Sequence, residues 1–535
     1  MHAPLRGKTS LVSILLLIAA SPLTASPVTT QEHAHPAADA STLGEVEFPS
    51  ACGPDVQPAF NRAVAMLHSF WYQAAEHAFR EIAAKAPDCA MAHWGVGMSR
   101  FHQLWEGPTP EDVRVGRRAF SAASMMRGFA GEPAREDAYV AALGEIFAPT
   151  ANPDYRLRKL AYERRMEALY EAHPEDPEAA IFYALSLLGS AASSPPDSTY
   201  ARQRKARAIL EEVLADHPDH PGVTHYIIHG TDYPELAPDG LDAARRYAEI
   251  APDAPHALHM PTHIFTRLGL WKESIDSNLR AAAAARRENW TGEELHASDY
   301  LVYAYMQVGN ADAARAIVDS LSQRQAHLQD DDPNYPAGIY ALAAIPARFW
   351  IEQRRWNEAA VLDLPDEWFP SDRYCWAEAT LDFTRGLGAA YTGDADGARE
   401  DVAALFECEH ALRAAGQQMW ADRMFVNRRI LESRLLLDAG DAAEAVAVLR
   451  AAADLEDRSD KPPITPGSVL PARESLGELL LALDRPADAL AAFEASLENS
   501  PRRRRSLQGA ATAARTAGLN DAAERYEAEL AELGQ

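Results

Sequence analysis

The sequence predicts an all-α fold, a right-handed superhelix of tetratricopeptide-repeat (TPR) type helix-turn-helix units that occupies essentially the whole mature chain. The first observation is a 34-residue spacing, which places Pro252 one period after Pro218. The second is a glycine turn that recurs before Ala-rich segments, as Val308-Gly309-Asn310, Thr392-Gly393-Asp394 and Ala439-Gly440-Asp441. Glycine suits these turns because they require φ > 0.

The repeat positions can be followed along the chain. The first unit has small, aromatic and turn residues at the expected places: Ala63, Tyr72, Ala75, Phe79 and Pro87. A further unit begins at Pro255, and the turns Leu483-Asp484-Arg485 and Ala517-Gly518-Leu519 lie 34 residues apart. We therefore predict a repeat array over 46–456 and a C-terminal repeat pair over 471–535, with the irregular stretch 457–470 as their boundary.

The N-terminus has the pattern of an export signal. Arg6 and Lys8 precede an apolar run from Leu11 to Ala20, and Ala25 ends a plausible cleavage segment. We predict a signal peptide over 1–25 and a flexible leader over 26–45. No uninterrupted apolar run is long enough to span a bilayer. The mature protein is therefore predicted to be periplasmic or secreted.

Composition narrows the class of partner. The 535 residues are 47% hydrophobic with a formal charge of −27. Such a chain folds, and its charge repels nucleic-acid phosphates. We expect a protein or peptide partner in the cell envelope and no nucleic acid.

The four cysteines are spaced for two disulfide bonds. Cys52 precedes a predicted first helix and Cys89 follows the paired second helix; Cys375 and Cys408 are related similarly around Gly393. Antiparallel packing of a helix pair would bring each couple together, so we predict bonds Cys52–Cys89 and Cys375–Cys408. Free buried thiols are the alternative. There is no CxxC motif, which disfavours redox catalysis.

Two histidine pairs occur in register. His225 and His229 form an HxxxH pair, and His259 and His263 form a second pair 34 residues later. Both pairs fall at positions 5 and 9 of consecutive first helices, on the stripe that should face the concave groove. Imidazoles at i and i+4 can reach one metal ion about 2.0 to 2.1 Å away.

Three further residues could serve as ligands or orient the rings, namely Asp232, His256 and Asp299. Imidazole with few carboxylates and no thiolate favours Zn²⁺ or Cu²⁺. A polar groove whose histidines bind a partner's carboxylates is the alternative, and a functionless duplication of one repeat is a third possibility.

Pro261 lies among these histidines. It either kinks a helix that carries His256, His259 and His263, or marks the first residue of a helix, which leaves His256 and His259 on the preceding loop.

A second set of residues is predicted to line the groove. His68 and His102 share one repeat position, Trp94 lies nearby in sequence, and His296 takes position 2 of the unit framed on Gly309. They form either an aromatic groove wall or a ligand-binding patch.

Catalytic motifs are missing from the sequence. It contains no GxSxG, no HExxH and no phosphate-binding glycine loop. No catalytic residue is therefore assigned, and a metal-dependent enzyme is the least favoured function, although two histidine pairs would suit an open mononuclear or dinuclear site.

Several segments together resemble a family of exported bacterial TPR proteins. They are Leu67-His-Ser-Phe-Trp-Tyr72, Cys89-Ala-Met-Ala-His-Trp-Gly-Val-Gly-Met-Ser99, Thr224-His-Tyr-Ile-Ile-His-Gly-Thr-Asp232 and His256-Ala-Leu-His-Met-Pro-Thr-His-Ile-Phe265. The resemblance covers roughly 45–310 closely and implies the fold and export. It implies no reaction, because that family has no assigned activity.

The sequence thus predicts an exported TPR scaffold whose groove binds a ligand, with a transition metal on the two HxxxH pairs as the favoured interpretation. The alternative is a protein or peptide interaction module without metal.

Overall fold

The computed structural model describes residues 42–104, 107–126, 134–330, 332, 334–362, 369–370 and 373–534. The predicted signal peptide, 1–25, lies outside the described residues. So does the predicted leader, 26–45, except for its last four residues.

The described residues form α-helices joined by short turns, with one 3₁₀ turn at Ala237–Gly240 and no strand among them. The helices of the first half are α1 Gln57–His68, α2 Tyr72–Lys85, α3 Ala90–Met98, α4 Pro110–Met126, α5 Ala134–Phe147, α6 Tyr155–Ala172, α7 Pro177–Ala192, α8 Ala201–Asp216, α9 Pro221–Thr231, α10 Leu241–Ile250, α11 Pro255–His259, α12 Pro261–Arg267 and α13 Trp271–Arg287. Those of the second half are α14 Thr291–Val308, α15 Ala311–Asp319, α16 Leu321–Gln325, α17 Tyr335–Glu352, α18 Trp356–Ala359, α19 Cys375–Thr392, α20 Ala395–Ala414, α21 Gln418–Asp438, α22 Ala442–Arg458, α23 Ala472–Ala482, α24 Pro486–Asn499, α25 Arg504–Thr516 and α26 Asn520–Leu533. None of these helices is long and apolar enough to cross a membrane.

The contacts between helices follow the chain, as expected for stacked helix pairs. Neighbours such as α1 and α2 pack together, and alternate helices such as α19 and α21 or α23 and α25 also touch. The predicted packing residues Ala63, Ala75 and Phe79 are fully buried. Gly309 and Gly393 end their helices at φ +79° and +91°. The all-α helical-repeat prediction is confirmed.

The buried apolar side chains form two large clusters that divide near residue 268. The first extends from Leu43 to Phe265 and the second from Trp271 to Leu533. The stretch 459–471, here called the strap, joins α22 and α23, and both of these helices belong to the second cluster. The predicted boundary at 457–470 therefore falls inside a cluster, and the strap reaches back toward the first one.

The last residues of the predicted leader pack on the first cluster. Leu43 is buried, Thr42 N–H donates to Asp253 Oδ2 at 2.7 Å, and Glu45 N–H donates to Asp219 O at 3.0 Å. Residues 42–45 are thus held by the array instead of forming a free leader.

All four cysteines are paired as predicted. Cys52 bonds Cys89 and Cys375 bonds Cys408, with Cα–Cα distances of 4.7 and 5.8 Å. The second bond joins the first residue of α19 to the interior of α20, so it ties one helix pair together.

Replacing Cys375 and Cys408 by serine should lower the free energy of unfolding by roughly 3 to 4 kcal/mol. The bond closes a loop with a sequence separation of 33 residues, and the chain-entropy model gives this magnitude for such a loop. Urea denaturation followed by circular dichroism measures the change. An unaltered denaturation midpoint in the double-serine variant would contradict the prediction.

Candidate metal centre

Six histidines from four helices form two groups of three near the junction of the clusters. We call His225, His229 and His256 triad A, and His259, His263 and His296 triad B. Within each triad, one nitrogen from every ring lies within 4.8 Å of the others. The α9 helix supplies the first pair, α11 and α12 supply the next three residues, and α14 supplies His296.

Triad A is held by a turn of the first repeat. His225 Nδ1–H donates to the carbonyl of His68 at 2.6 Å, which leaves the lone pair of His225 on Nε2. That nitrogen lies 3.1 Å from His229 Nε2. His256 Nε2 is buried and has no hydrogen-bond partner among the described residues.

Phe70 lies against all three rings of triad A. Its ring centroid is 4.4 Å from that of His225, 5.5 Å from His229 and 5.7 Å from His256. The backbone of Phe70 has φ +55°. An aromatic residue in this region is strained, so the surrounding packing must hold it there.

In triad B, hydrogen bonds determine which ring nitrogen of His259 and of His263 carries the proton. His259 Nδ1–H donates to Asn278 Oδ1 at 2.8 Å. The orientation of that amide is fixed because Asn278 Nδ2–H donates to Ser274 O at 2.9 Å. His263 Nδ1–H donates to Asp232 Oδ2 at 2.8 Å. Both rings therefore carry their proton on Nδ1 when they are neutral.

The two Nε2 atoms of this pair face each other at 3.2 Å. With both rings neutral, two lone pairs oppose each other at that distance and no hydrogen bond joins them. Burial lowers the pKa of His259 well below its usual value, and it also lowers the pKa of His263, although Asp232 partly offsets it. Protonation of either ring is therefore opposed by the site itself.

A metal ion removes this conflict. In tetrahedral coordination at 2.0 to 2.1 Å, two imidazole nitrogens lie about 3.3 Å apart. The 3.2 Å separation in triad B and the 3.1 Å separation in triad A both match that edge. In triad B, Asn278 and Asp232 hold the Nδ1–H groups of His259 and His263, which is the kind of outer hydrogen bond that fixes the tautomer of a histidine able to bind a metal.

The triads are close neighbours. The ring centroids of His229 and His263, one from each triad, lie 6.5 Å apart, and those of His229 and His256 within triad A lie 6.3 Å apart. Two ions held by these rings would thus belong to a single dinuclear centre.

Asp232 acts behind the rings instead of coordinating. It accepts from His263, from Arg267 Nε at 2.8 Å and from Lys461 Nζ of the strap at 3.0 Å. Although burial raises the pKa of this carboxyl, Lys461 and Arg267 hold it well below its usual range. The sequence proposed Asp232 as a ligand or an orienting residue, and the structure places it in the second role.

Asp299 is not at the centre, which corrects the sequence interpretation. Its oxygens lie 2.6 Å from Arg348 Nε and 3.4 Å from Arg348 Nη2. The same guanidinium donates to the strap at Thr465 Oγ1, Gly467 O and Ser468 O. Asp299 therefore helps to anchor the strap.

The sequence predicted that the histidines line an open groove, but four of the six in the triads are buried, and His229 and His256 are partly buried. Exposure is 0% for His225, 1% for His259 and 3% for both His263 and His296. Tyr300 and Lys461 connect the strap to this region by hydrogen bonds. A long strap between two helices cannot be placed by repeat spacing, so its return to the histidines was not foreseeable from the sequence.

The prediction that Trp94 and His68 line a groove in the N-terminal units is wrong, because both side chains are buried. Trp94 is 1% exposed and packs against Phe48, Tyr139 and Phe182. His68 is fully buried. His102 is half-buried with its ring 4.3 Å from that of Tyr72, and His296 belongs to triad B instead of a groove wall.

His68 belongs to a separate polar network. Its Nε2–H donates to Glu178 Oε2 at 2.8 Å, and the Tyr226 hydroxyl donates to His68 Nδ1 at 2.9 Å. His220 Nε2–H donates to the other Glu178 oxygen at 3.0 Å, and its Nδ1 accepts from the backbone of Gly222. Neutral rings satisfy every one of these contacts, so this group needs no metal. The backbone carbonyl of His68 in turn positions His225.

Pro261 begins a helix. α11 ends at His259 and α12 starts at Pro261, with Met260 between them keeping helical angles. His256 and His259 therefore lie on a short helix, not on a loop.

Three contributors were missed by sequence reasoning. Asn278 orients His259, the strap residue Lys461 binds Asp232, and Tyr300 lies beside triad B. Only Tyr300 had a readable signal, because His296 and Tyr300 repeat the i, i+4 spacing of the two HxxxH pairs.

Comparison with known proteins adds no assignment. No family model matches the chain, and no curated protein matches it. Similar solved structures include a monomeric mutant of IFIT1 with Gppp-AAAA, at 12% identity and a TM-score of 0.37, covering 83% of this chain and 90% of that one. Yeast Tom70 is similar at 9% identity and a TM-score of 0.33, covering 86% of this chain and 89% of that one.

Proposed function

We propose that this protein is a helical-repeat scaffold that binds two transition-metal ions, one in triad A and one in triad B. The observation that carries the proposal is the His259–His263 contact. The two Nε2 atoms lie 3.2 Å apart, and each ring donates its proton from Nδ1 to another acceptor. The two Nε2 atoms therefore cannot hydrogen-bond to each other, but they are well placed to bind one metal ion.

The donor set indicates the class of ion. Each triad offers three imidazoles, and the carboxylate at triad B, Asp232, is occupied by His263, Arg267 and Lys461. At triad A, Glu293 Oε1 lies 3.8 Å from His256 Nδ1. Imidazole nitrogen without thiolate suits Zn²⁺ or Cu²⁺ and disfavours Mg²⁺ or Ca²⁺.

An exported location agrees with the paired cysteines. Disulfide bonds persist in oxidising compartments such as the periplasm, and both cysteine pairs are bonded here. We therefore place the proposed metal-binding function outside the cytoplasm. A protein or peptide partner in the envelope stays a prediction, and its docking surface would lie away from the buried histidines.

The test is the metal content of untagged protein, measured by elemental mass spectrometry as isolated and after exposure to Zn²⁺ or Cu²⁺. We expect close to two equivalents in the parent. His263→Ala should abolish binding at triad B, because it removes one of three imidazoles, and His229→Ala should do the same at triad A.

His410→Ala is the matched control. His410 is an exposed histidine on α20, and its ring packs against Phe406. This variant should keep two equivalents. No metal in the parent after exposure to either ion would refute the proposal and leave the imidazoles as a structural cluster.

A further inference from the structure

The third helix of the centre repeats the ligand spacing with a different side chain. α9 carries His225 and His229, and α11 with α12 carries His259 and His263; α14 carries His296 followed four residues later by Tyr300. Residues at i and i+4 lie on one face of a helix. Where the earlier helices present a second imidazole, α14 thus presents a phenol.

The phenol oxygen is placed like a ligand. Tyr300 Oη lies 3.4 Å from His263 Nε2, close to the edge of about 3.3 Å expected between donors around a tetrahedral ion. The ring of Tyr300 also contacts all three imidazoles of triad B, with centroids 4.8 Å from His259, 5.3 Å from His263 and 5.4 Å from His296.

The hydroxyl proton has an acceptor away from the imidazoles. Tyr300 O–H donates to the strap carbonyl of Thr465 at 3.2 Å. In that orientation the oxygen lone pairs are free to face His263. Tyr300 is fully buried, with 1% exposure, so bulk water does not compete for this position.

We propose that Tyr300 Oη is the fourth ligand of the ion in triad B, giving that ion three imidazoles and one phenolate oxygen. The inference rests on the proposed metal-binding function. Coordination releases the hydroxyl proton to solvent, as metal binding to ionisable ligands does. At triad A the ring of Phe70 lies against all three imidazoles, so the two ions are chemically different.

This difference selects among ions. A phenolate is a hard anionic oxygen donor and favours Cu²⁺ over Cu⁺ at triad B. The three imidazoles of triad A lie beside the Phe70 ring, with Glu293 Oε1 3.8 Å from His256 Nδ1, and accept either oxidation state. The dinuclear centre would then hold one oxidised, four-coordinate ion and one ion with an open position.

The experiment uses the full chain loaded with Cu²⁺ alone. The parent should bind two equivalents and show a visible phenolate-to-copper charge-transfer band, with tyrosine ring vibrations enhanced in resonance Raman spectra excited in that band. Tyr300→Phe should still bind copper at both triads and lose the band.

Tyr303→Phe is the control. Tyr303 is a buried tyrosine on the same helix, with its ring against Trp271 and Arg348. This variant should keep the band. Ring-deuterated tyrosine incorporated into the parent should shift the enhanced vibrations, a readout that needs no variant to fold.

The outcomes separate the two proposals. Two bound copper ions in the parent without a phenolate band, or a band that survives in Tyr300→Phe, would overturn the assignment of Tyr300 while leaving metal binding intact. A parent that binds no copper would overturn both.

Discussion

Acidification from about pH 7.5 to pH 5.5 is expected to lower the free energy of unfolding of the metal-free protein by a few kcal/mol. The pKa values of five histidines at the centre are held well below their usual value, first of all by burial. These rings stay neutral in the fold, while the unfolded chain takes up their protons below about pH 6.5.

The direction follows from proton linkage. Because the unfolded state binds more protons, stability is full above the unfolded pKa and falls as the pH drops toward the folded pKa. Each ring that stays neutral costs about 1 to 2 kcal/mol at pH 5.5. Burial raises the pKa of Glu293 and Asp382 to about 7, and each of these carboxyls offsets about 2 kcal/mol, since its folded state gains the proton first.

Urea denaturation of metal-free protein at the two pH values measures the change. Substituting one buried ring, as in His296→Gln, should reduce the acid loss by about 1.4 kcal/mol, whereas replacing the exposed His410 by Gln should leave it unaltered. Equal acid losses in the parent and in His296→Gln would show that this imidazole is not held neutral by the fold.

Replacing Arg348 by methionine is expected to cost about 3 to 5 kcal/mol of unfolding free energy at pH 7.5. Arg348 is 1% exposed and Asp299 is fully buried, so the substitution leaves an unpaired buried carboxylate. It also removes the donor to Thr465 Oγ1, Gly467 O and Ser468 O, which anchors the strap over triad B. Burial outweighs Arg348 and raises the pKa of Asp299, so the loss should shrink at lower pH as that carboxyl is protonated.

Two variants make this measurement specific. Arg348→Met combined with Asp299→Asn should recover part of the loss, since no charge is then left unpaired. Arg399→Met breaks an exposed pair with Asp396 and should cost at most about 1 kcal/mol. A cost that small for Arg348→Met would mean that the strap does not depend on this pair.

The helical-repeat fold, both disulfide bonds and the four histidines of the HxxxH pairs were predictable from sequence patterns alone. Each of these depends on local information: a 34-residue period, residues at i and i+4, or cysteines at the two ends of one helix pair. Such patterns survive in the fold because neighbouring helices pack in chain order.

The repeat positions assigned from the sequence are wrong where helix lengths change. α9 has 11 residues and α14 has 18, so counting back from the turn at Gly309 placed Asp299 on the histidine stripe. The structure brings Tyr300 there beside His296, which the register had placed correctly, and it turns Asp299 toward Arg348. A fixed 34-residue period gives wrong positions for a helix that begins several residues earlier than the repeat pattern expects.

Local spacing encodes neither the burial of His225, His259, His263 and His296 nor the division of the six histidines into two triads. Lys461 reaches Asp232 across a separation of 229 residues, and Arg348 reaches the strap across more than 100. These contacts depend on where a long irregular segment returns to the array, and no local spacing encodes that position. The sequence therefore reveals the HxxxH pairs, whereas the enclosure of these histidines depends on how distant segments pack together.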